Sequence, residues 1–139
     1  MISKTNQYAI RAVLCLSQQA EGRPMRAAHI AAGLGMPANY LSKILHALTR
    51  AGVLESERGP NGGFRLARAA AELSLAEVVA PFEPIVRQSQ CLLGRDSCSD
   101  ESPCGLHERW KRASDPLLGF FNDTKIADLI GQVDLCQER

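Results

Sequence analysis

The feature that most limits how this chain can fold is a run from Cys91 to His107 with the spacing C-x6-C-x5-C-x2-H. The run is rich in Gly, Pro, Ser and Asp, and its large aliphatic residues are Leu92, Leu93 and Leu106. It therefore cannot bury a core of its own. Three thiols and one imidazole form a four-coordinate ligand set that suits zinc or an iron–sulfur cluster. Because a bound metal centre would order this run, we predict a metal site here.

The composition allows one modest hydrophobic core with one appended element. The chain has 139 residues, of which 45% are hydrophobic and 22% charged, as in ordinary globular proteins. No apolar run approaches the roughly 20 residues that cross a bilayer, and the N-terminus lacks a signal pattern. We therefore expect a cytoplasmic protein with no membrane partner. Thiols stay reduced there, so five cysteines favour metal or redox chemistry over a disulfide scaffold.

Charge is distributed unevenly along the chain. Residues 1–70 carry nine Lys or Arg against three acids, whereas residues 71–139 carry seven against twelve. A basic first half is typical of a module that binds a polyanion, although chance surface charge gives the same pattern.

Apolar residues at helical spacing predict three helices, at about 5–19, 26–34 and 38–51. The turn Gly35-Met36-Pro37 joins the second to the third, and this arrangement is a helix-turn-helix. A recognition helix carries polar groups that reach base edges in the major groove, but a merely solvated helix face looks similar. On the outer face of the third helix these groups are Asn39, Tyr40, Ser42, Lys43, His46 and Arg50.

Two short strands at 53–58 and 64–67 enclose the tip Gly59-Pro60-Asn61-Gly62-Gly63 and predict a hairpin. A hairpin after a helix-turn-helix is the wing of a winged helix, and its glycines let the tip approach a phosphate backbone. Arg58 and Arg65 flank the tip, where an arginine can enter the minor groove. We therefore predict double-stranded DNA as a partner, with Arg26 and Asn61 as further contacts.

The remainder of the chain predicts two more helices. Ser74 and Glu77 form a capping box that opens the fourth helix. The last helical region, from about residue 105, has a wide apolar face that we expect to pack on a second copy. The alternative is packing on the first helix of the same chain, and the two are compatible. That face comprises Leu106, Trp110, Ala113, Leu117, Leu118, Phe120 and Phe121. Pro116 either kinks this helix or starts a new one with Asp115 as N-cap.

We therefore predict a mainly α fold with a small β-hairpin wing. Residues 1–84 form a winged helix-turn-helix DNA-binding domain, and residues 85–139 form the cysteine-rich loop and a dimerisation helix.

Over nearly its whole length the chain resembles the Rrf family of bacterial winged-helix repressors. The matching segments are Y-A-I-R-A at residues 8–12, N-Y-L-S-K-I-L at 39–45, R-G-P-N-G-G-F-R-L at 58–66 and the three-cysteine run. The resemblance implies a homodimeric transcription factor rather than an enzyme. Its C-terminal helices would cross, and it would bind a pseudo-palindromic DNA operator.

The resemblance also implies an iron–sulfur cluster, of the 2Fe–2S type and one per chain, held by Cys91, Cys98 and Cys104. His107 would complete the site. Some family members use a carboxylate early in helix one of the partner subunit, and the matching residues here, Asn6-Gln7-Tyr8, include no acid. Such a cluster would sense redox state, nitric oxide or iron–sulfur status.

Two alternatives keep the DNA-binding module. In one the cysteine run holds structural zinc, and in the other its thiols sense without a cluster. Cys15 and Cys136 are predicted not to be ligands. An enzyme or electron carrier is disfavoured, because the chain has no C-x-x-C redox pair and no Gly-rich phosphate loop.

Overall fold

A computed structural model describes residues 2–19, 22–85, 91–93, 101 and 103–132. Its first part consists of three helices, α1 (Lys4–Ser17), α2 (Ala27–Leu34) and α3 (Ala38–Arg50). Each bound lies within two residues of the position predicted from the apolar spacing.

Local chemistry explains where these helices begin and end. Ser3 caps α1, since its Oγ accepts the backbone N–H of Asn6 at 3.2 Å. Gly35 ends α2 in the left-handed region at φ 66°, which glycine adopts without strain. The inner face of α3 buries Leu41, Ile44, Leu45 and Leu48, so the opposite face turns to solvent.

The wing follows α3 directly. Strands β1 (Leu54–Glu57) and β2 (Gly63–Leu66) pair antiparallel, with Ser56 opposite Phe64. Met25, just before α2, extends this sheet through two backbone hydrogen bonds with Phe64, at 2.9 and 2.8 Å. The wing is therefore attached to the start of α2 as well as to the end of α3.

A 3-10 turn (Ala70–Glu72) leads into the short helix α4 (Leu75–Val79). The predicted capping box is present, with both Ser74–Glu77 hydrogen bonds formed. Helix α5 spans His107–Asp123 and is followed by a 3-10 turn, Ile126–Leu129. Since α5 continues through Pro116, the structure favours one helix over a new start at Asp115.

One core joins these elements. Phe121 of α5 and Ile126 are fully buried with the apolar faces of α1, α3 and α4. Part of the predicted apolar face on α5 therefore packs on its own chain, whereas Leu117 and Phe120 are 40% and 53% exposed. The predicted mainly α fold with a β-hairpin wing is confirmed.

Candidate nucleic-acid interface and cysteine segment

The outer face of α3 presents the predicted polar groups to solvent. Asn39, Lys43 and Arg50 are exposed and Ser42 is half-buried. These side chains lie along about three turns of a helix whose other face is packed, so the helix can enter a groove without disturbing the core.

Tyr40 differs from these neighbours, because it also joins α3 to α1. Its hydroxyl lies 2.6 Å from Thr5 Oγ1, and its ring meets that of Tyr8 edge-on at 5.8 Å. Tyr40 therefore positions the first turn of α3, and 36% of its surface still faces solvent. Nothing in the local sequence pairs Thr5 with a residue 35 positions away.

Close backbone contacts shape the hairpin tip. A Cβ on Gly62 would lie 2.3 Å from the carbonyl oxygen of Glu57, and Gly63 has φ 146° beside the backbone of Met25. Only glycine fits such approaches, so the Gly-Gly pair is needed to close the wing against β1 and Met25. Phe64 then packs edge-on against His46 of α3 at 5.4 Å.

Arg26 holds the wing tip from the side of α2. Its Nη2 donates hydrogen bonds to the carbonyl oxygens of Gly59 and Pro60, at 3.0 and 3.2 Å. A cleft of about 630 Å³ lies beside this bridge, and its lining includes Arg23, His29 and Asn61 but no carboxylate among the described residues. The predicted contact Arg26 thus braces the wing next to an open basic cleft.

The two wing arginines have different surroundings. Arg65 Nε lies 2.6 Å from Glu55 Oε1 and its Nη1 lies 2.8 Å from Glu57 Oε1. Arg58 is exposed and forms no ion pair with any described residue. Sequence reasoning missed this pairing of Arg65, although the hairpin register, which sets Glu55 opposite Arg65, contained the signal.

Two of the predicted metal ligands lie one helical turn apart. The backbone N–H of His107 donates to the carbonyl oxygen of Cys104 at 3.1 Å, so both residues belong to the turn that opens α5. His107 is buried, Cys91 is 9% exposed and Cys104 is half-buried. Cys91 and Cys104 remain thiols. Cys98 lies outside the described residues.

These donors match the predicted centre in chemistry. Thiolates and a neutral imidazole are ligands for a 2Fe–2S cluster and for zinc alike, and burial of Cys91 and His107 would keep water from the bound group. Across the described ranges no three His, Cys, Asp or Glu side chains are grouped as a metal site. Cys15 is fully buried and disulfide-bonded, and Cys136 lies outside the described residues. That neither cysteine is a ligand stays a prediction.

The fold and the exposed α3 face define a winged-helix DNA-binding protein. The sequence profile of the Rrf2 family, described as "Iron-dependent Transcriptional regulator", matches residues 2–132. This chain therefore belongs to the Rrf2 family of transcriptional regulators, and it is a regulator rather than an enzyme. In the part of the chain that the structure describes, no helix has the length and apolarity to cross a bilayer.

Individual relatives agree with this assignment. The chain is 31% identical to an HTH-type transcriptional regulator of Aquifex aeolicus over 132 residues, covering 94% of this chain and 91% of that protein. It is 28% identical to the regulator IscR of Escherichia coli over 134 residues, covering 96% and 82%.

Solved structures share the same architecture. CymR, the global cysteine regulator of B. subtilis, superposes with a TM-score of 0.80 at 21% identity, covering 96% of this chain and 98% of that one. IscR of T. potens gives 0.77 at 19% identity, covering 100% and 92%. At 21% and 19% sequence identity, these superpositions show a shared fold and do not bear on function.

Proposed function

We propose that this protein is a cytoplasmic homodimeric repressor that reads a pseudo-palindromic operator and senses its signal through a 2Fe–2S cluster, one per chain. The observation that carries this proposal is the pairing of an exposed, polar α3 face with a Cys104–His107 turn at the start of α5. We retain the division at residues 84 and 85 as a functional one between DNA reading and sensing.

Contacts to DNA would divide into base reading and backbone holding. Asn39, Ser42 and Lys43 lie in the first half of α3, which is the end of a recognition helix that reaches base edges. Arg50 at the other end would bind a phosphate. Arg58 and Asn61 at the wing tip would contact the minor groove or its phosphates, with Arg26 holding the tip in place.

The dimer interface would use the part of α5 that its own chain leaves exposed. Leu117 and Phe120 stand out of the helix at 40% and 53% exposure, while the adjacent Phe121 is buried in the core. We expect Phe120→Glu to convert the dimer to monomer in sedimentation velocity, whereas Arg109→Glu, on the same helix, should leave the dimer intact. A dimer that survives Phe120→Glu would refute this assignment.

Cys91, Cys98, Cys104 and His107 would hold the cluster. A bound 2Fe–2S cluster supplies a one-electron redox couple and is open to attack by oxidants and nitric oxide. The chain contributes the turn that fixes Cys104 relative to His107 and the burial that limits solvent access.

Anaerobic purification with iron, sulfide and zinc measured per chain tests this centre. We expect about two irons and two sulfides per chain and a visible spectrum that changes in His107→Ala. The matched control is His29→Ala, which removes an exposed histidine from α2 and should leave metal content and spectrum unchanged. Stoichiometric iron and sulfide in a Cys91→Ala/Cys98→Ala/Cys104→Ala variant would contradict the ligand assignment.

A second candidate is a regulator whose cysteine segment holds structural zinc or senses through its thiols alone. The ligand chemistry favours it to the extent that thiolates and imidazole also suit zinc. One zinc per chain without sulfide would select the zinc clip. Absence of all three elements, with operator affinity that responds to thiol oxidation, would select the thiol sensor.

A further inference from the structure

The first turn of α1 contains a buried amide that is only half satisfied. Asn6 is 1% exposed, and its Nδ2 donates to the backbone carbonyl of Glu83 at 3.1 Å. Its Oδ1 is buried and accepts no hydrogen bond from any residue that the structure describes. Because an orphaned buried oxygen is unfavourable, an apolar side chain would suit this position better if packing were its only role.

The same turn of α1 contacts the recognition helix on its other side. Thr5 meets the Tyr40 hydroxyl at 2.6 Å, and Tyr8 meets the Tyr40 ring. Tyr40 lies in the first turn of α3, among the residues that would read bases. Any movement of this turn of α1 would therefore be transmitted to the reading end of α3.

Glu83 lies on the chain that leads from α4 towards the cysteine segment. Ile85, two residues later, is anchored in the core at 3% exposure, and Cys91 follows at 9%. Pro84 has no N–H, so Ile85 carries the next main-chain donor after Glu83. An amide can hold this chain by its NH₂ group on a carbonyl or by its oxygen on an N–H, and within the described part of the chain Asn6 uses the first mode alone.

We propose that Asn6 is a positioning residue that couples the cysteine segment to the recognition helix. A change in the segment moves the Glu83 carbonyl relative to α1, Asn6 follows it, and Thr5 and Tyr8 carry the displacement to Tyr40. This inference rests on the proposed function, in which the cysteine segment is the sensor, but it does not require that the sensor hold iron.

Amide hydrogen exchange over residues 38–50 tests the coupling without knowledge of the operator. Exchange is compared in wild type, Cys91→Ser, Asn6→Leu and Asn6→Leu/Cys91→Ser, on full-length protein of known metal content. Since one hydrogen bond is at stake, Cys91→Ser should change α3 exchange by roughly 2- to 10-fold in the Asn6 protein. In the Asn6→Leu background, Cys91→Ser should no longer change the exchange of the α3 amides. Gln7→Leu, at an exposed position of the same turn, is the matched control and should preserve the response.

Thr5→Val supplies a second variant, should Asn6→Leu fail to fold. It is isosteric, it removes the hydroxyl partner of Tyr40, and it should weaken the α3 response in the same way. The proposal would be overturned if Cys91→Ser still changed α3 exchange in the Asn6→Leu or Thr5→Val background. It would also be overturned if Cys91→Ser had no effect on α3 exchange in the otherwise wild-type protein. The measured metal content tests the proposed cluster independently of the coupling. An iron-free protein that still shows the coupling would refute the cluster but not the role of Asn6.

Discussion

The two arginines that flank the wing tip should differ in how their removal changes the salt dependence of DNA binding. Arg58 is exposed and has no ion pair among the described residues, whereas Arg65 is held between Glu55 and Glu57 at 2.6 and 2.8 Å. A phosphate can therefore pair with Arg58 directly, but it would have to displace two carboxylates to reach Arg65. Of these two arginines, we expect Arg58 but not Arg65 to release counterions from DNA.

The size of the effect follows from counting charges. Each neutralised phosphate contributes about 0.9 to the slope of log K against log salt concentration, so the two Arg58 side chains of the proposed dimer would contribute about 1.8. Between about 50 and 200 mM salt this amounts to a change of roughly 12-fold in the affinity ratio of wild type to Arg58→Ala. That ratio should shrink as salt rises.

The matched control is Arg65→Ala/Glu57→Gln, which removes the arginine and one of its two carboxylates. The net charge of the Glu55–Glu57–Arg65 group stays at −1, so we expect the slope to change by less than about 0.5. Fluorescence anisotropy would be measured on a duplex that the wild-type protein selects from a random library. An equal loss of slope in both variants would show that Arg65 leaves its carboxylates for DNA, and an unchanged slope in Arg58→Ala would show that Arg58 neutralises no phosphate.

Three further predictions concern stability, each measured by urea unfolding. Glu77→Ala should cost about 1 kcal/mol at pH 7, and Glu77→Gln less, because glutamine can retain the capping box. Partial burial raises the pKa of Glu77, but the Ser74 N–H, Arg68 and the charge of Lys125 lower it by more, so the net pKa lies below the ordinary value of a glutamate. The charge-dependent part of the Glu77 contribution should therefore be present above the ordinary glutamate pKa of about 4.3 and be lost as pH falls through the lowered folded-state value, and a pH-independent loss would contradict this. Pro116→Ala should stabilise by about 1–2 kcal/mol, since it restores an N–H to the interior of α5, whereas an unchanged midpoint would indicate a helix already adapted to proline. Gly62→Ala should cost about 1–3 kcal/mol because its Cβ meets the Glu57 carbonyl at 2.3 Å. Gly119→Ala in α5 should be neutral or stabilising, because its Cβ would lie 3.8 Å from Asp123 Oδ2, an ordinary van der Waals distance.

Much of the fold could be predicted because its signals are local. Apolar spacing placed α1, α2 and α3 within two residues, the glycine-rich tip predicted the hairpin, and Ser74 with Glu77 predicted the cap of α4. The exposed position of Lys43 also followed from periodicity, since Leu41, Ile44 and Leu45 occupy the opposite face. The ligand role of the cysteine run and of His107 stays a prediction.

The roles of particular site residues depended on contacts between distant parts of the chain. The guanidinium of Arg26, a predicted DNA contact that stays a prediction, bridges to Gly59 and Pro60, more than 30 residues away. Tyr40 contacts Thr5 at a separation of 35 residues, and Asn6 contacts Glu83 at 77. A single sequence carries no record of such pairs, because many residues could satisfy the same local pattern.

The sequence by itself therefore determined the winged-helix architecture, the basic character of its first half and the close spacing of three cysteines and a histidine. Only the tertiary structure decided which charged and apolar side chains remain available to a partner. Arg58 stays exposed while Arg65 is neutralised, and Phe120 stays exposed while Phe121 enters the core. The physical reason is that helical and strand periodicity fix which face a side chain occupies, whereas packing and hydrogen bonding between faces fix what that side chain meets.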